Sequence, residues 1–196
     1  LYENGLQRER FLPAIALLKQ HTSVVEMASG TDYRLRSLSQ ARLYHSPVDE
    51  NTEAALRDSF RSLATDELDW RDDCTIDILN REIATRHCAG DVVWFDFAAL
   101  CGGPRSAQDY VELARLFHAI VVSDIPAMDD RHNDQARRFI NLVDALYDRR
   151  VKLIVSAAVG MDRLYTGQSL AFEFQRTHSR LVEMQSQDYL GQRHHG

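Results

Sequence analysis

Arginine is where this sequence concentrates its chemistry. All but two of its 23 basic residues are arginines, the exceptions being Lys19 and Lys152. A guanidinium is planar, permanently charged and forked, so it grips phosphate and carboxylate groups with a geometry that an ammonium lacks. Three groups stand out by position. Arg8 and Arg10 precede Pro13, which suits the first turn of a helix, so both fall where side chains project outward from a helix start. Arg34 and Arg36 leave a strand over 23–27 that Ser29-Gly30 ends. Arg176 and Arg180 stand one turn apart on the last helix, away from its apolar face.

The same count excludes a P-loop. That motif, G-x-x-x-x-G-K-[ST], needs a lysine followed by a hydroxyl residue, whereas Lys19 precedes Gln20 and Lys152 precedes Leu153. The glycine turn Cys101-Gly-Gly-Pro-Arg-Ser106 reads as a strand-to-helix connection capped by Ser106. Cys74, Cys88 and Cys101 lack metal-ligand spacing, and three unpaired thiols suit a reducing cytosol. His87 beside Cys88 is a chance neighbour rather than half of a zinc site, and no metal site is expected. Asp144 on the long helix is expected to pair with Arg137 or Lys152, and no Ser-His-Asp or Cys-His triad assembles.

The elements that position these residues are best marked between Phe117 and Tyr165. Ala119-Ile-Val-Val122 is a short β-branched run that Ser123-Asp-Ile-Pro126 ends. Asn133 or Asp134 caps a helix with Ala136, Phe139, Ile140, Val143, Leu146 and Tyr147 on one face, and Val151–Val155 supplies a second run. Strand, helix, strand at these lengths is a βαβ crossover, so a parallel, helix-covered sheet is predicted. Upstream, Thr75–Leu79 and Val92–Phe97 read as a β-hairpin around the turn at Ala89-Gly-Asp91. Leu56, Ser59, Phe60 and Leu63 mark one amphipathic helix, and the acidic stretch Asp66–Asp73 is the expected linker. Ser106 with Asp109 forms a capping box for a helix carrying Tyr110, Leu113, Ala114 and Phe117. Phe174, Leu181 and Met184 point inward from a last helix over 171–187, and the tail 191–196 is expected to fray.

At 196 residues and 44% hydrophobic content, the chain can bury one good core or two small ones. A net charge of -6 argues against broad nucleic-acid affinity. No apolar run reaches membrane-spanning length, and the opening Leu1-Tyr-Glu-Asn-Gly5 has neither initiator Met nor signal-peptide character, so a piece of a longer protein is expected. Leu1–Phe11 recurs loosely at Leu164–Arg176, which suggests a second strand-helix-strand unit before Leu1.

Several stretches in one order carry a resemblance. They are Leu1-Tyr-x-Asn-Gly-Leu-Gln-Arg-x-Arg-Phe-Leu-Pro-Ala-Ile15, Asp32-Tyr-Arg-Leu-Arg36, Ala136-Arg-Arg-Phe-Ile140 with Val143-Asp144, and Phe172-Glu-Phe-Gln-Arg176 through Ser179–Ser186. Together they resemble the ZapE-like family of AAA+ ATPases, which act in bacterial cell division and have mitochondrial relatives. The resemblance covers nearly the whole chain. It departs at Gly160, where the family pattern has proline; this is read as a loop change.

The resemblance implies an α/β fold: the C-terminal part of a P-loop AAA+ core (1–37), a lid helix and linker (38–73), and a small α/β domain with a β-hairpin and a βαβ unit (74–196). It implies ATP and Mg2+ as cofactors of a full-length ATPase, bound mainly by residues upstream of Leu1, and an inactive stand-alone fragment. Arg8, with Arg10 as runner-up, would be the finger that reaches a neighbouring subunit's γ-phosphate. Arg34, Arg176 and Arg180 would contact nucleotide from the lid and in a sensor-two manner. Asp124 resembles a Walker B aspartate in position, but Ile125 stands where a catalytic Glu is needed. Implied partners are other copies of the chain and the tubulin-like division-ring protein FtsZ, in the cytoplasm at the division site. The alternatives are a non-enzymatic protein-binding module, sensitive near Trp70 or Trp94, and a helicase-loader-like ATPase that engages single-stranded DNA. For the latter, Trp94-Phe-Asp-Phe97 is too acidic and too buried a platform.

Overall fold

The computed structural model describes residues 8–21, 42–64 and 69–196. Two compact units divide the chain, Leu1–Asp32 and Tyr33–Gly196. In the first, α1 runs Arg8–His21. Its start lies earlier than the proline signal suggested, so Pro13 falls inside the helix rather than in its first turn. Leu12 and Leu17 of α1 are exposed. The expected strand over 23–27 and the Arg34–Arg36 exit lie outside the described residues.

The second unit is built on a six-stranded sheet, introduced here in chain order: β1 (Tyr44–His45), β2 (Arg71–Asp72), β5 (His87–Ala89), β6 (Val92–Asp96), β7 (Ala119–Ile125) and β8 (Lys152–Ala157). The spatial order is β1-β8-β7-β6-β5-β2, and a separate two-stranded ribbon pairs β3 (Thr75–Asp77) with β4 (Glu82–Ala84). β1, β8, β7 and β6 are mutually parallel, with Val121 opposite Trp94 and Ile154 opposite Val121. β5 and β2 add an antiparallel edge.

The βαβ prediction holds: β7 and β8 are joined by α5 (Asn133–Asp148), whose buried residues include Ala136, Phe139, Ile140, Val143 and Leu146. Side chains alternate across the central strands. Val93, Phe95, Ile120, Val122, Leu153 and Val155 face α3 (Phe97–Cys101), α4 (Ala107–Leu116), α5 and α6 (Ala171–Glu183). Val92, Trp94, Val121 and Ile154 face α2 (Thr52–Leu63) through Leu56, Phe60 and Leu63. A sheet covered on both faces explains why its strands read as unbroken apolar runs. Helix α2 and strands β1 and β2 thus belong to the same layered body as the strands beyond residue 74.

Several details differ from the sequence reading. β7 does not stop at Ser123: it continues through a bulge to Ile125, with Asp124 in the left-handed region (φ 62) and its N–H donating to Ser156 Oγ at 3.0 Å. The turn at Gly90 (φ 57) does make a hairpin, but its first arm is β5; the Thr75–Leu79 run pairs with β4 instead. Helix α3 replaces the expected strand-to-helix link before Ser106, whose N–H donates to Asp109 Oδ2 at 2.6 Å as the capping box predicted. Within the expected linker, Arg71–Asp72 form an edge strand. The last helix ends at Glu183, and a short α7 (Gln187–Leu190) follows. The tail is tied down rather than frayed, since Arg149 Nη1 donates to His195 O (2.9 Å) and Lys152 Nζ to Gln192 O (2.8 Å). Cys74 and Cys88 are joined as a disulfide, against the expectation of three unpaired thiols; Cys101 is free and buried.

Candidate functional site

Parallel strands end together, and the edge outside their carboxyl ends is where α/β sheets gather functional groups. Here β6 ends on Asp96, and Asp124 stands at the bulge near the end of β7. Two carboxylates on adjacent strand ends call for a cation, and Arg86 supplies it. Its Nε donates to Asp96 Oδ1 at 2.6 Å, Nη2 to Asp124 Oδ2 at 2.7 Å, and Nη1 to Glu53 Oε2 at 2.8 Å. The Arg86 backbone is fixed on both sides, its N–H donating to Trp94 O (2.8 Å) and its carbonyl accepting from Asp73 N–H (2.8 Å). The guanidinium lies 5.8 Å from the centre of the Trp94 ring, whose Nε1–H donates to Ser123 Oγ at 2.6 Å. Partial burial works against the Arg86 charge, but Asp96, Glu53 and Asp124 outweigh it and raise its pKa. Beside this cluster, Pro47, Val48, Asp124, Ile125, Pro126 and Ala158 line an open cleft of about 460 Å³.

A second cluster lies between α5 and α6. Asp144 accepts from Arg176 Nη2 at 2.6 Å and pairs through Oδ1 with Arg180, which also lies 3.6 Å from Asp148 and stacks 4.7 Å over Tyr147. The expected partners of Asp144 were different: Arg137 instead approaches Glu173 at 3.9 Å, and Lys152 donates to the carbonyls of Tyr189 and Gln192. His87 Nδ1 lies 2.6 Å from Asp72 Oδ1. Among the described residues no group of three His, Cys, Asp or Glu is arranged to hold a metal ion. No described helix is long and apolar enough to cross a membrane. Trp94, Phe95 and Phe97 are buried, so they cannot stack on bases.

Against known proteins, a family model for AFG1-like ATPases matches residues 1–193. The chain belongs to the AFG1-like ATPase family. It is 45% identical to "Cell division protein ZapE" of Escherichia coli strain K12 over 194 residues, covering 99% of this chain and 51% of that protein. It is 32% identical over 222 residues to "Lactation elevated protein 1 homolog B" of Danio rerio, covering 96% of this chain and 44% of the relative. It is also 39% identical over 166 residues to an uncharacterised Schizosaccharomyces pombe protein, covering 84% and 36%. The chain therefore spans about half the length of the first curated relatives it matches. No solved structure matches. The resemblance to ZapE-like ATPases and the α/β fold with a largely parallel sheet both stand.

In this AFG1-like chain the sequence-selected arginines fall in separate places. Arg8 and Arg10 occupy the first turn of α1, and their side chains lie outside the described residues. Arg34 lies outside them altogether. Arg176 and Arg180 are together, held by Asp144. Arg86 was missed. Its partners Glu53 and Asp124 are 33 and 38 residues away, and the Arg81–Cys88 stretch carries no strong periodicity. The available signal was indirect: an acidic residue closing each of two buried parallel strands needs a counter-charge.

Proposed function

We propose that this chain is part of a longer AAA+ protein that hydrolyses ATP with Mg2+ between subunits, and that these residues supply the arginine and the lid rather than the phosphate cradle. The observation that carries this reading is the AFG1-like ATPase match over residues 1–193 in a sequence with no P-loop motif. Residues outside these 196 would then bind the phosphates and the metal. Arg8, with Arg10 next to it, would reach the γ-phosphate of an adjacent subunit, where a fully used arginine finger is worth about 10³–10⁵ in rate. Residues 1–37 would complete the ATPase core and 38–73 the lid and linker, with α2 and β1 docked on the sheet of the proposed interaction domain, 74–196.

Arg34 would touch nucleotide from the start of the lid. Arg176 and Arg180 would serve as sensor-two arginines only by exchanging Asp144 for phosphate, a trade open to them because guanidinium forks suit both anions. The printed name of the Escherichia coli relative supports a role in cell division. We extend it to self-association and to action on the tubulin-like FtsZ ring from the cytoplasm at the division site.

Arg8→Ala in a longer, ATP-hydrolysing protein should lower turnover by at least about 10³ with little change in ATP affinity. Turnover at the parental rate would reject the finger role. A second reading, a non-enzymatic protein-binding module, is favoured by the layered body of residues 42–64 and 69–196, which carries its own core on both faces of the sheet. It expects Arg8→Ala to be silent, with substitutions around Trp70 abolishing partner capture instead.

A further inference from the structure

The cleft beside Asp124 lies where the topology of the sheet reverses. After β1 the chain turns to α2 on one face of the sheet; after β8, the neighbour of β1, it turns to α6 on the other. Adjacent strands whose exits diverge leave a crevice outside their carboxyl ends, the general location of ligands in open α/β sheets. Pro47 and Val48 follow β1, Ala158 follows β8, and Asp124 to Pro126 close β7, so the cleft is that crevice. Its volume of about 460 Å³ falls within the range of ligand-sized pockets, about 300–1,000 Å³.

Five of the six lining residues are apolar, and Val48 is 46% exposed. The sixth, Asp124, carries the only charge among the described lining residues and has a side chain 55% exposed. Arg86 engages Asp124 through Nη2 at Oδ2, while its Nε and Nη1 turn to Asp96 and Glu53. Two other described guanidiniums enter the count: Arg42, which donates to the carbonyls of Tyr44 and Ser46 and keeps its charge, and Arg57, which lies 3.7 Å from Glu53. Among these described groups the guanidiniums of Arg42, Arg57 and Arg86 face four carboxylates, Asp49, Glu53, Asp96 and Asp124, so the balance beside the cleft is one negative charge.

We propose that this crevice docks a basic aliphatic segment of a partner protein, an arginine or lysine reaching Asp124 while apolar neighbours cover Val48, Ile125 and Pro126. The methylene stem of such a side chain suits the apolar wall, and its charged head suits the carboxylate. A free polyamine would satisfy Asp124 and lay methylenes on part of the wall, but it lacks the flanking branched side chains that would cover Val48 and Pro126, which favours a protein segment. The inference does not depend on ATP hydrolysis.

The test is a titration of the isotopically labelled 196-residue chain with N-acetyl-Leu-Arg-Leu-amide, followed by amide NMR shifts. Saturable shifts at Val48, Ile125 and Ala158 are expected. Replacing the peptide's arginine with neutral citrulline, or making Asp124→Asn in the protein, should weaken binding roughly fivefold, the scale of one exposed ion pair. Ala158→Leu, which fills the crevice and leaves Asp124 in place, should abolish the shifts, and it decides the matter should Asp124→Asn fail to fold. Absent shifts, equal binding of the citrulline peptide, or unchanged binding by Ala158→Leu would overturn the proposal. Spermidine moving the same amides with equal affinity would also overturn it, in favour of a free polyamine.

Discussion

Asp130 shows how a single carboxylate organises a loop. It accepts N–H bonds from Gln168 (3.0 Å) and Ser169 (2.9 Å), and its Oδ1 lies 3.0 Å from Tyr165 Oη, which is also 2.7 Å from Asn133 Oδ1. The Gln168 N–H, then Ser169 and Tyr165, hold its carboxyl well below the usual carboxylate range. A depressed folded-state pKa gives stability that is present above the unfolded value of about 3.9 and lost as pH falls through the folded one. Asp130→Asn should therefore lower Tm at pH 7, and the gap from the parent should narrow as the pH is taken below about 4. A gap independent of pH would contradict this account of the loop. At Gly167, a Cβ would press on Tyr165 Oη and the same Asp130 carboxylate, so Gly167→Ala should also lower Tm. Cys101 is fully buried, and burial pushes its thiol up to about 12; a maleimide at pH 8 should label it only after denaturant is added.

Helix α2 ties the segment around residues 42–64 to the central sheet. Phe60 is fully buried and packs edge-on to Trp70, with ring centres 4.7 Å apart, and against Trp94 at 6.1 Å. Phe60→Ala should cost about 3–5 kcal/mol in denaturant unfolding, the range for a buried aromatic that leaves a cavity. A loss below about 1 kcal/mol would mean that α2 is peripheral. This helix was legible because its apolar positions recur at 3.6-residue spacing, and α5 and the β7 and β8 core runs were legible from the same kind of local pattern. The arms of the hairpin were not. β5 is only His87–Ala89, too short and too polar at His87 to announce itself beside the clearer Thr75–Leu79 run. The bulge at Asp124 escaped for a related reason: it is set by Ser156 Oγ on a strand reached only after α5. The partners of Asp144 come from α6, so no pattern local to α5 could have named them.

At the scale of the molecule, the sequence and the fold divide the work. Family membership was legible in motifs spread from residue 1 to 186, because several short matches in one order are far more specific than any one alone. The parallel sheet followed from two β-rich runs around one helix. The Arg86 cluster did not follow, since it joins residues from α2, β6, β7 and the turn before β5. Arg86→Ala should lower stability by roughly 1–2 kcal/mol, because it removes three partly exposed pairs worth about 0.2–1 kcal/mol each, and the loss should shrink at high salt.

The proposed role of Arg8 at a neighbouring subunit's nucleotide can be tested by mixing subunits. In a longer protein of this family with an intact phosphate cradle, Arg8→Ala subunits can be mixed with subunits whose P-loop lysine is replaced. Each variant alone should be inactive, and the mixture should regain ATP turnover, because a cradle-dead subunit still offers its Arg8 to a partner that binds ATP. A mixture as inactive as its components, or an Arg8→Ala protein that turns over ATP unaided, would contradict the account.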